Sequence, residues 1–115
     1  MPIYQTLDEL TVDYFTTHPE EVDEFVTEIF AEYAQDGDSA ALLSALRSIA
    51  RAKGISNIAE EANMSRQDVQ KALSAKGNPR FDSINAIIHA MGFQLMPQKM
   101  GETAVAESRA EYKIK

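Results

Sequence analysis

The sequence predicts an all-α protein of five to six helices, and three observations support this prediction. Residues 19–35 and residues 38–53 each carry an apolar stripe at helical spacing. The stretch SNIAEEANMSRQDVQKALS, residues 56–74, divides into two short helical runs, each opened by a serine. At 115 residues the chain is long enough for one modest core.

The first third of the chain predicts two helices, the second of which is acidic. Thr6 and Glu9 have the spacing of a capping box for a short helix to about residue 14, although the β-branched residues that follow suit a strand equally well. The acidic helix begins at Pro19, continues to about residue 35 and stops before Gly37. Its apolar side chains share one face: Val22, Phe25, Val26, Ile29, Phe30 and Tyr33.

The next helix is capped by Asp38 or Ser39, runs to about residue 53 and has Gly54 as its stop. Ser56 is then predicted to cap a short helix to residue 62, and Ser65 another to about residue 74. The inward-facing residues of the helix that follows Asp38 are Leu42, Ala45, Leu46, Ile49 and Ala50.

A last helix is predicted over about residues 81–91, followed by Gly92. It turns Ile84, Ile87, Ile88 and Met91 inward. Residues 93–96 alternate in polarity and are compatible with a short C-terminal strand, for which residues 2–5 are the available partner. Residues 97–115 lack an apolar period and are predicted to form a mobile tail.

Charge is unevenly distributed along the chain, whose net charge is −7 at pH 7. Residues 1–37 hold ten Asp and Glu and no Lys or Arg, whereas residues 38–93 hold seven Lys and Arg against five Asp and Glu. DNA binding depends on individual cations near phosphates and not on total charge, so the overall acidity does not exclude DNA.

Composition excludes several other classes. No apolar run approaches the roughly 18–20 residues that span a bilayer, and MPIYQTLDEL lacks the features of a signal peptide, so we expect a cytoplasmic protein with no membrane partner. The absence of cysteine excludes disulfides and thiolate metal sites. His18 and His89 are far apart, and no glycine-rich phosphate loop is present. We therefore expect no enzymatic activity, no metal and no cofactor.

The two short helices at residues 56–74 are predicted to cross steeply around a tight turn. Ala59 is small at the point where they approach, and Asn63 tolerates the left-handed backbone that such a turn needs. The residues predicted to face the core are Ile58, Ala62, Met64, Val69 and Leu73.

The side chains of these two helices that face solvent have the chemistry of base recognition. Arg and Lys suit guanine or phosphate, and Gln can pair bidentately with adenine. We predict that four side chains enter the major groove: Arg66, Gln67, Gln70 and Lys71. Four others are predicted to hold phosphates: Ser56, Ser65, Lys76 and Arg80. The alternative is that any small helical bundle contains short capped helices and that these polar residues are only solvated.

Residues 36–95, which begin DGDSAALL and end HAMGFQL, also resemble a known family. The most specific pieces are LLSALRSIARAKGIS, SRQDVQKALS and GNPRFDSINAIIHAMGF. They are similar to addiction-module antidote proteins, the HigA-like antitoxins with a lambda-repressor (Xre-type) helix-turn-helix. The resemblance covers about residues 19–96. It departs from the family at Asn63-Met64, where Gly and an aliphatic residue are common, and at Gln70, where an aromatic residue is common.

The resemblance implies an antitoxin that neutralises a RelE/HigB-like toxin and represses its own operon by binding operator DNA. Charge and periodicity, taken with the resemblance, predict an acidic N-terminal segment and helix at residues 1–37, a lambda-repressor-like helix-turn-helix domain at residues 38–96 and a mobile tail at residues 97–115. A free-standing prophage-type repressor and a protein-interaction module without DNA binding are the alternatives.

Partner-binding surfaces are predicted in the segments before and after the two short helices. Symmetric operators are usually bound by two-fold dimers, so we expect a homodimer. Residues 84–96, with Leu95, are predicted to supply its interface. The acidic helix is predicted to bind the toxin through Val22, Phe25, Ile29 and Phe30. The alternative is that this stripe packs on its own domain.

Overall fold

The computed structural model describes residues 6–74 and 76–100, which contain six α-helices, one 3₁₀ turn and no strand. This confirms the all-α prediction. No helix in these two ranges has the length and apolarity needed to cross a membrane. The α-helices are α1 (Leu7–Thr17), α2 (Val22–Asp36), α3 (Ser39–Lys53), α4 (Ile55–Ala62), α5 (Arg66–Ala72) and α6 (Phe81–Ala90), and the 3₁₀ turn is Pro19–Glu21.

The predicted capping box at the start of α1 is confirmed. The Glu9 amide donates to Thr6 Oγ1 at 3.0 Å, and the Thr6 amide donates to Glu9 Oε1 at 2.8 Å. The helix continues to Thr17, beyond the predicted end near residue 14. The strand alternative for this segment is therefore wrong, because Phe15 is buried as part of a helix packed against α3.

A polar anchor fixes α1 on α3. The Asp8 carboxylate accepts hydrogen bonds from the hydroxyl of Ser48 and from the guanidinium of Arg51, both on α3. Ser48 is only 3% exposed, so its hydroxyl needs this partner. The amino-acid sequence gave no signal for this long-range contact.

The predicted acidic helix is divided at its start. Pro19–Glu21 form a 3₁₀ turn, and the α-helix itself begins at Val22. The predicted stop is confirmed, because Gly37 takes a left-handed conformation with φ of 65°. Asp38 then caps α3 by accepting a hydrogen bond from the Ala41 amide at 3.0 Å.

The core is formed where α3, α4, α5 and α6 meet, with α1 and α2 packed on α3. Its completely enclosed side chains are Val22, Leu46, Ile49, Val69, Leu73, Ile87 and Ile88. Val22 and Ile29 of the predicted toxin-binding stripe are 2% and 9% exposed. Both pack against the chain's own core, as the alternative interpretation of the stripe expects, although Ile29 also lines a depression between α2 and α3. Toxin binding by the stripe stays a prediction.

The predicted cap at Ser56 is wrong. The helix α4 begins one residue earlier, at Ile55, and Gly54 stands at its cap position with φ of 101°. Because Gly54 turns the chain within one residue, Ser56 already belongs to the first turn of α4 and caps nothing. Ile55 is buried, which fixes this early start.

The short C-terminal strand is also absent from the described residues. The Phe93 amide donates to the Ile88 carbonyl at 3.0 Å, which ties the segment to the end of α6. Phe93 and Leu95 are half-buried and pack against the core, whereas Gln94 and Met96 are exposed. The alternation therefore reflects packing on helices. Residues 2–5, the predicted strand partner, and residues 101–115 of the predicted tail lie outside the described residues.

Candidate nucleic-acid interface

The turn between α4 and α5 has the hydrogen bonds of a Schellman motif. Asn63 is left-handed with φ of 57° and ψ of 45°, as predicted. Its amide donates to the Glu60 carbonyl at 3.2 Å, and the Met64 amide donates to the Ala59 carbonyl at 2.9 Å. Ala59 is 4% exposed, so the predicted burial of a small residue here is confirmed. The turn thus ends α4 sharply and leaves its last carbonyls satisfied.

Ser65 directly follows this turn and caps the N-terminus of α5. Ser65 is extended, and its hydroxyl accepts a hydrogen bond from the Asp68 amide at 3.0 Å. The helix is held down by Val69, Ala72 and Leu73, all of which are buried. Met64 is half-buried against the same core. These contacts fix the rotation of α5 about its own axis and so determine which of its residues reach solvent.

The four side chains predicted to enter the groove, Arg66, Gln67, Gln70 and Lys71, are all exposed. A depression of about 480 Å³ lies between α5 and the loop before α6. Lys71 and Arg80 both line it, so the fold brings one predicted groove residue and one predicted phosphate residue together.

Three further polar residues line the same depression, Asp68, Asn78 and Ser83, and none of them was predicted as a site residue. Asn78 stands in the turn before Pro79, and Ser83 stands in the first turn of α6. The local signal was a Gly-Asn-Pro turn followed by a helix start, which marks a loop but does not show that the loop folds back beside α5.

The remaining predicted phosphate residues differ in their surroundings. Ser56 and Lys76 are exposed, on the first turn of α4 and in the loop after α5. The Arg80 guanidinium lies 3.2 Å from an oxygen of Asp82, with both side chains about 80% exposed. Such a pair is worth at most about 1 kcal/mol, so Arg80 can leave Asp82 for a phosphate at little cost.

The predicted partner-binding residues lie away from α5. Phe30 and Leu95 are half-buried and line one depression of about 760 Å³ between α2 and the segment after α6. Phe25 is also half-buried, and it lines two smaller depressions beside α2. Ile29, although buried, lines one of these two depressions together with Phe25, whereas Val22 lines none of the depressions described here. The fold therefore places Phe25 and Ile29 on one surface and Phe30 and Leu95 on another.

The side of the molecule that carries α1 and the start of α2 is electrostatically negative. The Tyr14 hydroxyl donates to both carboxylate oxygens of Glu21, each at 2.8 Å. This hydrogen bond, together with desolvation and the negative charges of Glu21 and Glu20, raises the pKa of Tyr14 above its ordinary value of 10.0. Within residues 6–74 and 76–100, no group of three or more His, Asp or Glu is arranged to hold a metal ion.

Comparisons with known proteins agree with the addiction-module antidote part of the resemblance noted from the sequence. The family described as "Probable addiction module antidote protein" matches residues 10–99. An uncharacterized protein of Haemophilus influenzae is 35% identical over 95 residues, which span 83% of this chain and 94% of the relative. No solved structure matches the chain. Because the family match covers most of the chain and all six helices lie within or across it, the protein belongs to the addiction module antidote family.

Proposed function

We propose that this protein is the antitoxin of a type II toxin–antitoxin module. It binds and neutralises a RelE/HigB-like toxin encoded beside it, and as a homodimer it represses the shared operon by binding operator DNA. The helix pair α4–α5 acts as a helix-turn-helix of the lambda-repressor type, in which α5 enters the major groove and α4 braces it.

One observation carries the DNA-binding half of the proposal. The buried side of α5 is held by Val69, Ala72 and Leu73, and the side left in solvent carries two cations, two glutamines and one acid, Asp68. Arg, Lys and Gln are the side chains that best match base edges in the major groove. The family supplies the other half, because an antidote requires a toxin.

Operator binding is tested with a mobility-shift assay on the DNA upstream of the gene. Gln70→Ala should weaken binding by about 1–3 kcal/mol and relax the preference at one base position. Lys76→Ala should weaken binding to all sequences alike and reduce the salt dependence by about one phosphate contact.

Matched controls lie on other surfaces. Gln35→Ala, on α2, and Lys99→Ala, after α6, remove the same side chains from exposed positions away from α5 and should leave binding unchanged. If Gln70→Ala and Lys76→Ala both retain the affinity and salt dependence of the wild-type protein, α5 does not enter the groove.

Neutralisation is tested by expressing the adjoining reading frame with and without this chain. The proposal expects growth arrest by the neighbouring protein alone, rescue by co-expression, and co-purification of the two chains. Rescue by an α5 variant that has lost operator binding would show that the two activities use different surfaces. A neighbouring gene with no effect on growth would instead favour a free-standing repressor.

A further inference from the structure

Beside α2 the surface contains two adjoining depressions, which together we call the acidic trough. The first, of about 210 Å³, lies next to α1 and is lined by Phe15, Glu24, Phe25 and Glu28, among others. The second, of about 230 Å³, lies between α2 and α3 and is also lined by Phe25. Because both depressions share Phe25, they follow one side of α2 along most of its length.

The floor of the trough between α2 and α3 is apolar. Phe25, Leu42 and Ala45 are half-buried there against the core. Tyr33 lines the same depression and is 38% exposed. When a partner covers this apolar floor, removing the floor from water favours binding by about 25 cal/mol for each Å² of apolar area buried.

The rim of the trough is a regular row of carboxylates. Glu24, Glu28, Glu32 and Asp36 stand four residues apart on α2, and each lines one of the two depressions. All four are exposed. Neither depression is lined by a lysine or an arginine. Along the helix axis the row extends about 18 Å, since an α-helix rises 1.5 Å per residue.

This row destabilises the isolated chain. Like charges four residues apart on a helix repel one another. Glu32 and Asp36 also lie in or near the last turn of α2, where the helix dipole is negative and the last turn contains no basic residue. Among the described residues no ion pair involves any of the four acids, because the two ion pairs found there use Asp8 and Asp82.

We propose that the acidic trough binds a basic amphipathic segment of the toxin. This inference rests on the proposed function, since the toxin is the partner that supplies the segment. The segment is a helix of about three to four turns whose Lys or Arg side chains recur every three or four residues and meet the carboxylates, while its apolar side chains cover Phe25 and Leu42. The trough includes Phe25 and Ile29 of the predicted toxin-binding stripe and adds the row of carboxylates to them.

The sharpest test adds a cation inside the trough. Ala41 is exposed and lines the depression between α2 and α3, whereas the adjacent Ala40 is exposed and does not line it. Ala41→Arg should weaken toxin binding at least about tenfold, equivalent to about 1.4 kcal/mol, and Ala40→Arg should leave it within about twofold of wild type. Calorimetry of the full-length chain with the purified product of the adjoining reading frame gives both values.

A second pair of variants tests charge complementarity without adding bulk. Glu28→Gln with Glu32→Gln removes two charges from the rim, and Glu60→Gln with Glu61→Gln removes two exposed charges from α4. Only the first pair should reduce affinity and flatten its dependence on salt. This pair relieves repulsion within α2, so it should fold at least as stably as wild type and remains informative if Ala41→Arg does not fold.

The outcomes separate the trough from the proposed function. If the wild-type chain binds the neighbouring protein and all four variants bind equally well, the trough is not the binding surface and the antitoxin role stands. If Ala40→Arg weakens binding as much as Ala41→Arg, the effect comes from total charge, and the trough is not the binding surface. If the wild-type chain binds operator DNA but not the neighbouring protein, both toxin binding at the trough and toxin neutralisation are contradicted.

Discussion

Individual residues fix the geometry of the α4–α5 turn. Asn63 is the only described residue other than glycine with a positive φ, and the amides of Asn63 and Met64 close the end of α4. Ala59 is buried at the same point, where α4 and α5 are in contact. The direction of α5 therefore depends on one backbone conformation and one small side chain.

Substitution of Asn63 tests the backbone conformation. Asn63→Gly should be neutral or slightly stabilising, because glycine enters the left-handed region without steric cost. Asn63→Val should lose about 1–2 kcal/mol, because a β-branched residue is strained there. Thermal melts measure both. A clear loss of stability in Asn63→Gly would contradict the role assigned to this turn.

Substitution of Ala59 tests the packing of the helix pair. Ala59→Leu should reduce the free energy of unfolding by about 1–3 kcal/mol, since extra methylene groups must displace a closely packed neighbour. Ala40→Leu, at an exposed position of α3, is the matched control and should stay within about 0.5 kcal/mol of wild type. Equal melting temperatures for the two variants would mean that the helices leave space at Ala59.

At the scale of elements, α1 depends on α3 for its position. Leu7 and Leu10 are 81% and 49% exposed, so α1 contributes little apolar surface beyond Phe15. Its polar contact through Asp8 to Ser48 and Arg51 is correspondingly important. A helix of 11 residues is marginal by itself in water, so α1 depends on this anchor together with the packing of Phe15 on the domain.

Removal of the anchor should loosen α1 before the rest of the protein. Asp8→Ala is expected to lower the free energy of unfolding by about 1–2 kcal/mol, a value reduced for the partial exposure of the Arg51 pair. Hydrogen exchange should speed up at the α1 amides while the α3 and α6 amides keep their protection. Glu60→Ala, at an exposed position of α4, is the control. Uniformly faster exchange in Asp8→Ala would show that α1 and the core unfold together.

At the scale of the whole molecule, the chain divides its surface into regions of different chemistry. The exposed polar residues of α5 lie in the part of the chain that has a small excess of cations, and the acids of α2 lie in the part that has none. Between α2 and the segment after α6 lies the largest depression described here, about 760 Å³, lined by Phe30, Leu95 and Met96 among others. Met96 is 71% exposed, which leaves an apolar edge available to a second copy.

The dimer prediction is tested at this edge. Leu95→Arg should convert a dimer to a monomer, because it places a charge among apolar groups that must lose water on association. Gln35→Arg, an exposed change that lines none of the depressions described here, should remain dimeric. Sedimentation velocity distinguishes the two species. A Leu95→Arg protein that stays dimeric would move the interface to another surface.

Local sequence was enough to predict the six helices and several of their ends, but not the end of α1 at Thr17 or the start of α4 at Ile55. The apolar stripes, the capping pair at Thr6 and Glu9, and the stops at Gly37 and Asn63 each depend on neighbours within four residues. Local spacing and backbone preference contain that information, so these features were predicted correctly. The exposure of Arg66, Gln67, Gln70 and Lys71 was also predicted, because the residues that a short helix buries determine which of its other residues face solvent.

Only the tertiary structure shows which helix faces are buried and which residues from different helices line the same depression. Periodicity showed that Val22 and Ile29 share a face, but only the packing of α2 on α3 shows that this face is buried. The same packing turns the row from Glu24 to Asp36 into the rim of a trough. Separately, the loop between α5 and α6 places Arg80 and Lys71 on one depression. The contact of Asp8 with Ser48 joins residues 40 positions apart. Such contacts depend on how helices are arranged in space, which no local pattern of residues specifies.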